Sequence, residues 1–279
     1  MTSFADKAFA TVKSMAKIAL QSRRATSVEA VRADDAIVVM GNGPSLNDTI
    51  ATSKETLRRM PAMAVNFAAL SPEFFDIKPA CYVLADPHFF SPDAPAGSNL
   101  ALLRDALKRV AWPVELYVPV NQLAQARRYY SNPAITLCTF NAVGVEGFKA
   151  LSDKVYSSGL GMPRPRNVLI PALMIAVWKG YGTVYVAGAD HSWMKTISVT
   201  DQNEVVSIQP HFYADSGHEE ARVRHEYRGY RLHQIVESFA VAFKSYHDIA
   251  AFASRRGVRI INVTPGSFID AFERGSLPD

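Results

Sequence analysis

The sequence predicts a doubly wound α/β domain with a mostly parallel, Rossmann-like sheet and a lid-like insertion. Three observations lead there. Short apolar runs alternate with segments of helical spacing along most of the chain, which is the rhythm of βα units. The runs, such as Ile37–Met40 and Val184–Ala187, lack polar alternation, as strands buried on both faces do. The first run stops in Gly41-Asn42-Gly43-Pro44-Ser45, a turn that presents bare N–H groups where open α/β sheets bind ligands.

The elements follow in order. Residues 1–33 read as a basic amphipathic helix, with Phe4, Ala8, Phe9, Val12, Met15, Ala16 and Ala19 at helical spacing among Lys7, Lys13, Lys17, Arg23 and Arg24. Such a helix suits an anionic inner-membrane surface, or else docks on its own domain or on a second copy in a homo-oligomer. Residues 34–279 then form the α/β domain. Thr52 and Glu55 fit a capping box that opens a short helix ending near Met60. Strands are expected over 62–67, carrying Asn66, and over 80–85, running into Asp86-Pro87-His88. Helix 100–110, strand 114–118, helix 122–130, strand 135–140 and helix 144–151 come next. A loop of Gly, Pro and Arg fills 157–166. Its Arg164 and Arg166 precede an apolar helix over 167–181, where they either meet a phosphate at the helix N-terminus or stay solvated.

The strand 184–187 ends in Gly188-Ala189-Asp190. From about 191 to 228 periodicity is lost, and His191, Trp193, His211, Phe212, Tyr213, Asp215, His218 and His225 gather in a lid or binding-loop composition. A helix over 230–256, carrying His233, leads to a strand over 258–262, then a turn and a short helix over 263–272. Thr264 and Ser267 in that turn are candidate phosphate donors. Gly41–Ser45, Asn66, Asp86, Gly188–Asp190 and Thr264–Ser267 all follow strands, so a parallel sheet gathers them along one edge.

Composition narrows the classes. At 48% hydrophobic and 20% charged the chain is globular rather than disordered. A net charge of +4 is a mild basic excess that suits an anionic small ligand or an acidic membrane surface, and no nucleic-acid partner is expected. Cys81 and Cys138 sit in apolar runs and read as buried thiols. There is no apolar stretch of spanning length and no signal-peptide layout, so the cytoplasm is the expected compartment. No Asp-x-Asp supplies a divalent-ion clamp, and no Gly-x-Ser-x-Gly supplies a hydrolase nucleophile.

The motifs resemble, in order, the bacterial sialyltransferases of glycosyltransferase family 42. Gly41–Leu46 matches that family's opening Gly-Asn-Gly-Pro-Ser-Leu. Val65-Asn66-Phe67 resembles its strand with Cys-Asn-Gln, and Asp86-Pro87 its Asn-Pro. Lys179-Gly180-Tyr181, Gly188-Ala189-Asp190 and Pro265-Gly266-Ser267 resemble its Leu-Gly-Tyr, Gly-Ile-Asp and Pro-Asn-Ser. The start and the late Thr-Pro-Gly-Ser also look like MAF-type motility-associated glycosyltransferases, and archaeal 6-hydroxymethylpterin diphosphokinases share that wider superfamily.

The resemblance implies metal-independent, inverting transfer of a nonulosonate from a CMP-sugar to a cell-surface glycan or lipid-linked acceptor, with no cofactor. Gly41, Asn42, Gly43, Ser45, Asn66, Asp86, Asp190, Thr264 and Ser267 would hold the donor nucleotide, and Arg164 and Arg166 its phosphate. The base would be a histidine, with His211, His218 and His233 as candidates and His211 favoured by the adjacent Phe212-Tyr213. Two positions depart from the family. Asp86 replaces Asn, and Asn167-Val168-Leu169 stands where the family has Thr-Ser-Gly. The alternatives are a magnesium-dependent pterin diphosphokinase using Asp86 and Asp190 as ligands, and a non-catalytic nucleotide-binding assembly partner.

Overall fold

A computed structural model describes residues 3–26, 31, 35–207 and 229–278. The strands β1 (Ala36–Met40), β2 (Ala62–Val65), β3 (Cys81–Val83), β4 (Val114–Pro119) and β5 (Ile135–Phe140) step away from β1 in one direction. The chain then crosses back. β6 (Thr183–Ala187) pairs with the other side of β1, followed by β9 (Arg259–Asn262) and β10 (Glu273–Arg274). The resulting sheet has eight strands, all parallel, in the order β10-β9-β6-β1-β2-β3-β4-β5. The direction of winding reverses between β1 and β6, so the carboxyl ends of those two strands mark the switch point.

Side chains alternate across the sheet and feed two cores. Ile37 and Val39 of β1 enter one, while Val38 and Met40 enter the other. The first core is built around α7 (Leu169–Lys179), which is apolar nearly all round and packs against both the sheet and α8 (Leu232–Arg255). Gly180, with a φ of 85°, ends α7 in a left-handed cap. The second core lies under α2 (Leu46–Arg59), α3 (Pro72–Ile77), α4 (Asn99–Lys108) and α5 (Leu123–Tyr129). Cys81 and Cys138 are buried free thiols, as expected.

The N-terminal helix α1 (Phe4–Gln21) lies over the loops that follow β5. Residues 23–26 continue along edge strand β5, with Thr26 N donating to Thr139 Oγ1 and Arg23 N to Asn141 Oδ1. That cover blunts an otherwise open sheet edge. Within the 191–228 insertion, the described part forms an antiparallel hairpin, β7 (Ile197–Val199) and β8 (Val205–Ser207). A small apolar cluster of Trp193, Ile197, Val205, Ile235, Phe239 and Phe243 seats it on α8.

Three local expectations are corrected. α2 starts at Leu46, well before the expected capping box; Thr52 lies inside the helix with its Oγ1 donating back to Asp48 O, and Ser53 kinks the helix at φ −131°. The helix expected over 144–151 runs instead as α6, Lys149–Ser157. Gly147, with a φ of 122° and Thr11 pressed against it, cannot be helical. Residues 263–272 hold no helix; Gly266 at a φ of 64° turns the chain, and hydrogen bonds of the Asn262 and Ser267 side chains fix the loop.

Candidate functional site

At the switch point the loops after β1 and β6 lie against each other. Gly43 N donates to Gly188 O at 2.8 Å, and Ser45 Oγ donates to Asp190 Oδ2 at 2.7 Å. A Cβ on Gly41 would stand 2.5 Å from Gly188 O, and one on Gly43 would overlap the Asp190 carboxylate. These two glycines therefore permit the two loops to meet, and the Gly43 N–H, expected to be bare, is spent on the Gly188 carbonyl.

The hydroxyls of Thr264 and Ser267 reach the same edge but are engaged inside it, which corrects their expected role as phosphate donors. Thr264 Oγ1 donates to Val186 O at 3.2 Å and accepts from Ala189 N at 3.0 Å. Ser267 Oγ donates to Ala189 O at 2.6 Å and accepts from Asn262 Nδ2 at 3.0 Å and Ile269 N at 3.2 Å. Both side chains are buried and stitch the β9 loop to the β6 loop. Asp86 is exposed, and its Oδ1 caps a short 3-10 turn by accepting from His88 N at 2.7 Å.

Three amides at the edge behave differently. Asn42 Nδ2 donates to Val65 O at 3.1 Å, which fixes the amide orientation and leaves Oδ1 buried with no partner among the described residues. Asn66, the residue after β2, sits at a left-handed φ of 50° and its Oδ1 is likewise buried and unpartnered. Asn167 Oδ1 accepts from Leu169 N at 3.0 Å, opening α7, and from Tyr246 OH at 2.9 Å, while its Nδ2 is buried without a partner among the described residues. A buried amide atom left unsatisfied costs about 1–3 kcal/mol, and native folds keep few of them.

Asn167 is tied to the switch point through two residues that the sequence did not single out as site residues. Tyr246 has one hydroxyl proton, which goes to the Asn167 carbonyl. His191 Nε2, 2.6 Å from the Tyr246 oxygen, is therefore the donor in the next link. His191 follows Asp190 directly, holds a left-handed φ of 50° and lies 4.1 Å, centroid to centroid, from the Trp193 ring. Burial lowers its pKa to about 3, so the ring is neutral near physiological pH. It acts as a hydrogen-bond donor that aims Tyr246 and Asn167. The sequence held a partial signal for His191, next to Gly188-Ala189-Asp190. Tyr246 falls on the apolar face of its helix and reads as core.

The charged candidates lie at the rim. Arg164 Nη1 is 3.6 Å from Glu146 Oε2, and its carbonyl accepts from Ser245 Oγ. Arg166 is exposed two residues before Val168, the N-cap of α7. His233 is exposed on the first turn of α8. His211 and His218 lie outside the described residues. The arrangement thus offers neutral amide donors and acceptors at the switch point, with guanidinium groups and a helix N-terminus beside them.

No protein-family model matches this sequence, and no curated protein does either. Among solved structures, the MAf glycosyltransferase from Magnetospirillum magneticum AMB-1 is similar, with a TM-score of 0.50 and 12% identity over 99% of this chain and 39% of that one. The chain spans about two-fifths of the length of that protein. The likeness and the sheet order together define the class: an open, Rossmann-like α/β protein whose strand order reverses at β1 and β6.

Proposed function

We propose that the chain is a glycosyltransferase domain, sialyltransferase-like, that takes a sugar from a nucleotide donor at this switch point. The donor is a CMP-linked nonulosonate, transferred with inversion and without a metal to a cell-surface glycan or lipid-linked acceptor. The observation that carries the reading is the set of amide atoms on Asn42, Asn66 and Asn167 that have no partner among the described residues. Neutral donors and acceptors of this kind match the edge of a pyrimidine and the hydroxyls of a ribose. The fold shared with the MAf glycosyltransferase and the Gly41–Leu46 motif support it further.

In the transfer, an acceptor hydroxyl attacks the anomeric carbon and gives up its proton to a base. The bond from that carbon to the phosphate oxygen breaks, and its electron pair stays on the phosphate. Arg166 and the N-terminus of α7 take up that charge. His191 is a positioning residue here, since a neutral imidazole already donating to Tyr246 is poorly suited to accept the proton. His211, His218 and His233 are the candidates for the base.

A thermal-shift panel of CMP, CTP, UDP, GDP and ATP, each with and without magnesium, tests this. CMP at a hundred times its Kd is expected to add about 2.7 kcal/mol, unchanged by magnesium. Stabilisation by ATP with magnesium alone would contradict the reading.

A further inference from the structure

Helix α1 is mounted with its apolar face outward. Thr11, Ser14 and Ile18 face the body. Ser14 Oγ donates to Glu146 O at 2.8 Å, Thr11 Oγ1 accepts from Phe148 N at 2.9 Å, and Ile18 packs on the core. Phe9, Val12, Ala16 and Leu20 recur at helical spacing on the opposite side. Phe9 is 73% exposed, Val12 67% and Leu20 72%. A helix held only for its contribution to the core would bury those side chains and expose Thr11 and Ser14.

Charge accompanies this face. Residues 3–24 carry Lys7, Lys13, Lys17, Arg23 and Arg24 against one carboxylate, Asp6, whose Oδ2 accepts from Ser3 at the helix start. None of the five basic groups is in an ion pair among the described residues. On a helical wheel Lys13 and Lys17 border the apolar stripe beside Leu20. Exposed aromatic and aliphatic side chains edged by unpaired lysines complement a bilayer whose headgroups are anionic, with the apolar stripe at the acyl boundary and the lysines among the phosphates.

We infer that α1 is a docking surface for an anionic lipid bilayer. The loop it sits on also reaches the candidate site, because Glu146 bonds to Ser14 through its backbone and pairs with Arg164 through its carboxylate. Docking through α1 therefore holds the rim of the carboxyl edge beside the membrane. The inference stands independently of which reaction occurs at the switch point.

The test is co-sedimentation of the full chain with vesicles of phosphatidylcholine alone and of phosphatidylcholine with phosphatidylglycerol, alongside light scattering of the chain in solution. Binding is expected to the anionic vesicles only and to weaken with salt. Phe9→Glu with Leu20→Glu should reduce it at least tenfold, with an unchanged melting temperature because both side chains are on the surface. Lys13→Glu with Lys17→Glu should reduce it several-fold. Absence of binding to anionic vesicles would overturn the inference, as would equal binding by the Phe9/Leu20 variant. A dimer in solution that the Phe9/Leu20 variant breaks, without vesicle binding, would assign the face to a second copy.

Discussion

The two ends of the sheet treat buried polar atoms in opposite ways. At the amino end, Lys179 Nζ, on a side chain only 6% exposed, meets Glu115 Oε2 at 2.6 Å. The same oxygen accepts from Tyr117 OH at 3.1 Å and Cys81 Sγ at 3.4 Å. At the carboxyl end, three amides keep an oxygen or nitrogen that is buried and unpartnered among the described residues. Both ends are polar, and among the described residues the carboxyl end alone combines satisfied hydroxyls, on Thr264 and Ser267, with amide atoms left open. A charged cluster completed at one end and amides left open at the other is the contrast on which the proposed nucleotide site rests.

The largest expected effect comes from breaking the satisfied end. Glu115→Gln leaves the Lys179 ammonium buried without its counter-charge and should cost about 3–5 kcal/mol. That corresponds to roughly 10 °C in melting temperature for a chain of this size. The CMP-induced shift of the remaining folded protein should be unchanged, which calorimetry of the variant with and without nucleotide would show.

A smaller effect, with a defined sign, concerns His191. Its folded pKa of about 3 lies below the ordinary histidine value near 6.5, so the unfolded chain binds the extra proton between those two pH values. The stability associated with the neutral ring is fully present above pH 6.5 and is lost as pH falls toward 3. The loss amounts to about 1.4 kcal/mol per pH unit at most, or about 3 kcal/mol by pH 4. His191→Asn should be less stable at pH 7 and lose less between pH 6.5 and pH 4. Equal slopes in urea titrations of the two proteins across that range would show that His191 is not held neutral.

Much of this architecture is legible in the sequence because it rests on local signals. The unalternated run at Ile37–Met40 and the Gly41–Ser45 turn place β1 and its loop, and the strand ends bring Asn42, Asn66 and Asp190 to one edge. What stayed hidden depends on partners distant in sequence. Gly147 reads as a helix residue until Thr11, from the first helix, is seen against it. Thr264 and Ser267 look like free hydroxyls until Ala189 and Val186 engage them. Tyr246 has the spacing of a core residue, and only its two hydrogen bonds, to His191 and Asn167, make it part of the site. A sequence shows which side chains are polar at a strand end. It does not show which of them the rest of the chain will satisfy.

Asn66 allows the most direct test, because its two features pull in different directions. Its left-handed backbone suits glycine better than any other residue, and its buried Oδ1 has no described partner to lose. Measuring the melting temperature of Asn66→Gly with and without saturating CMP reads both at once. If the open amides are there for a ligand, the unliganded variant should melt at the same temperature or about 2 °C higher, and its CMP shift should fall by more than half. A variant that melts lower while keeping the full CMP shift would show that Asn66 serves the fold, contradicting the assignment of the carboxyl edge as the nucleotide site.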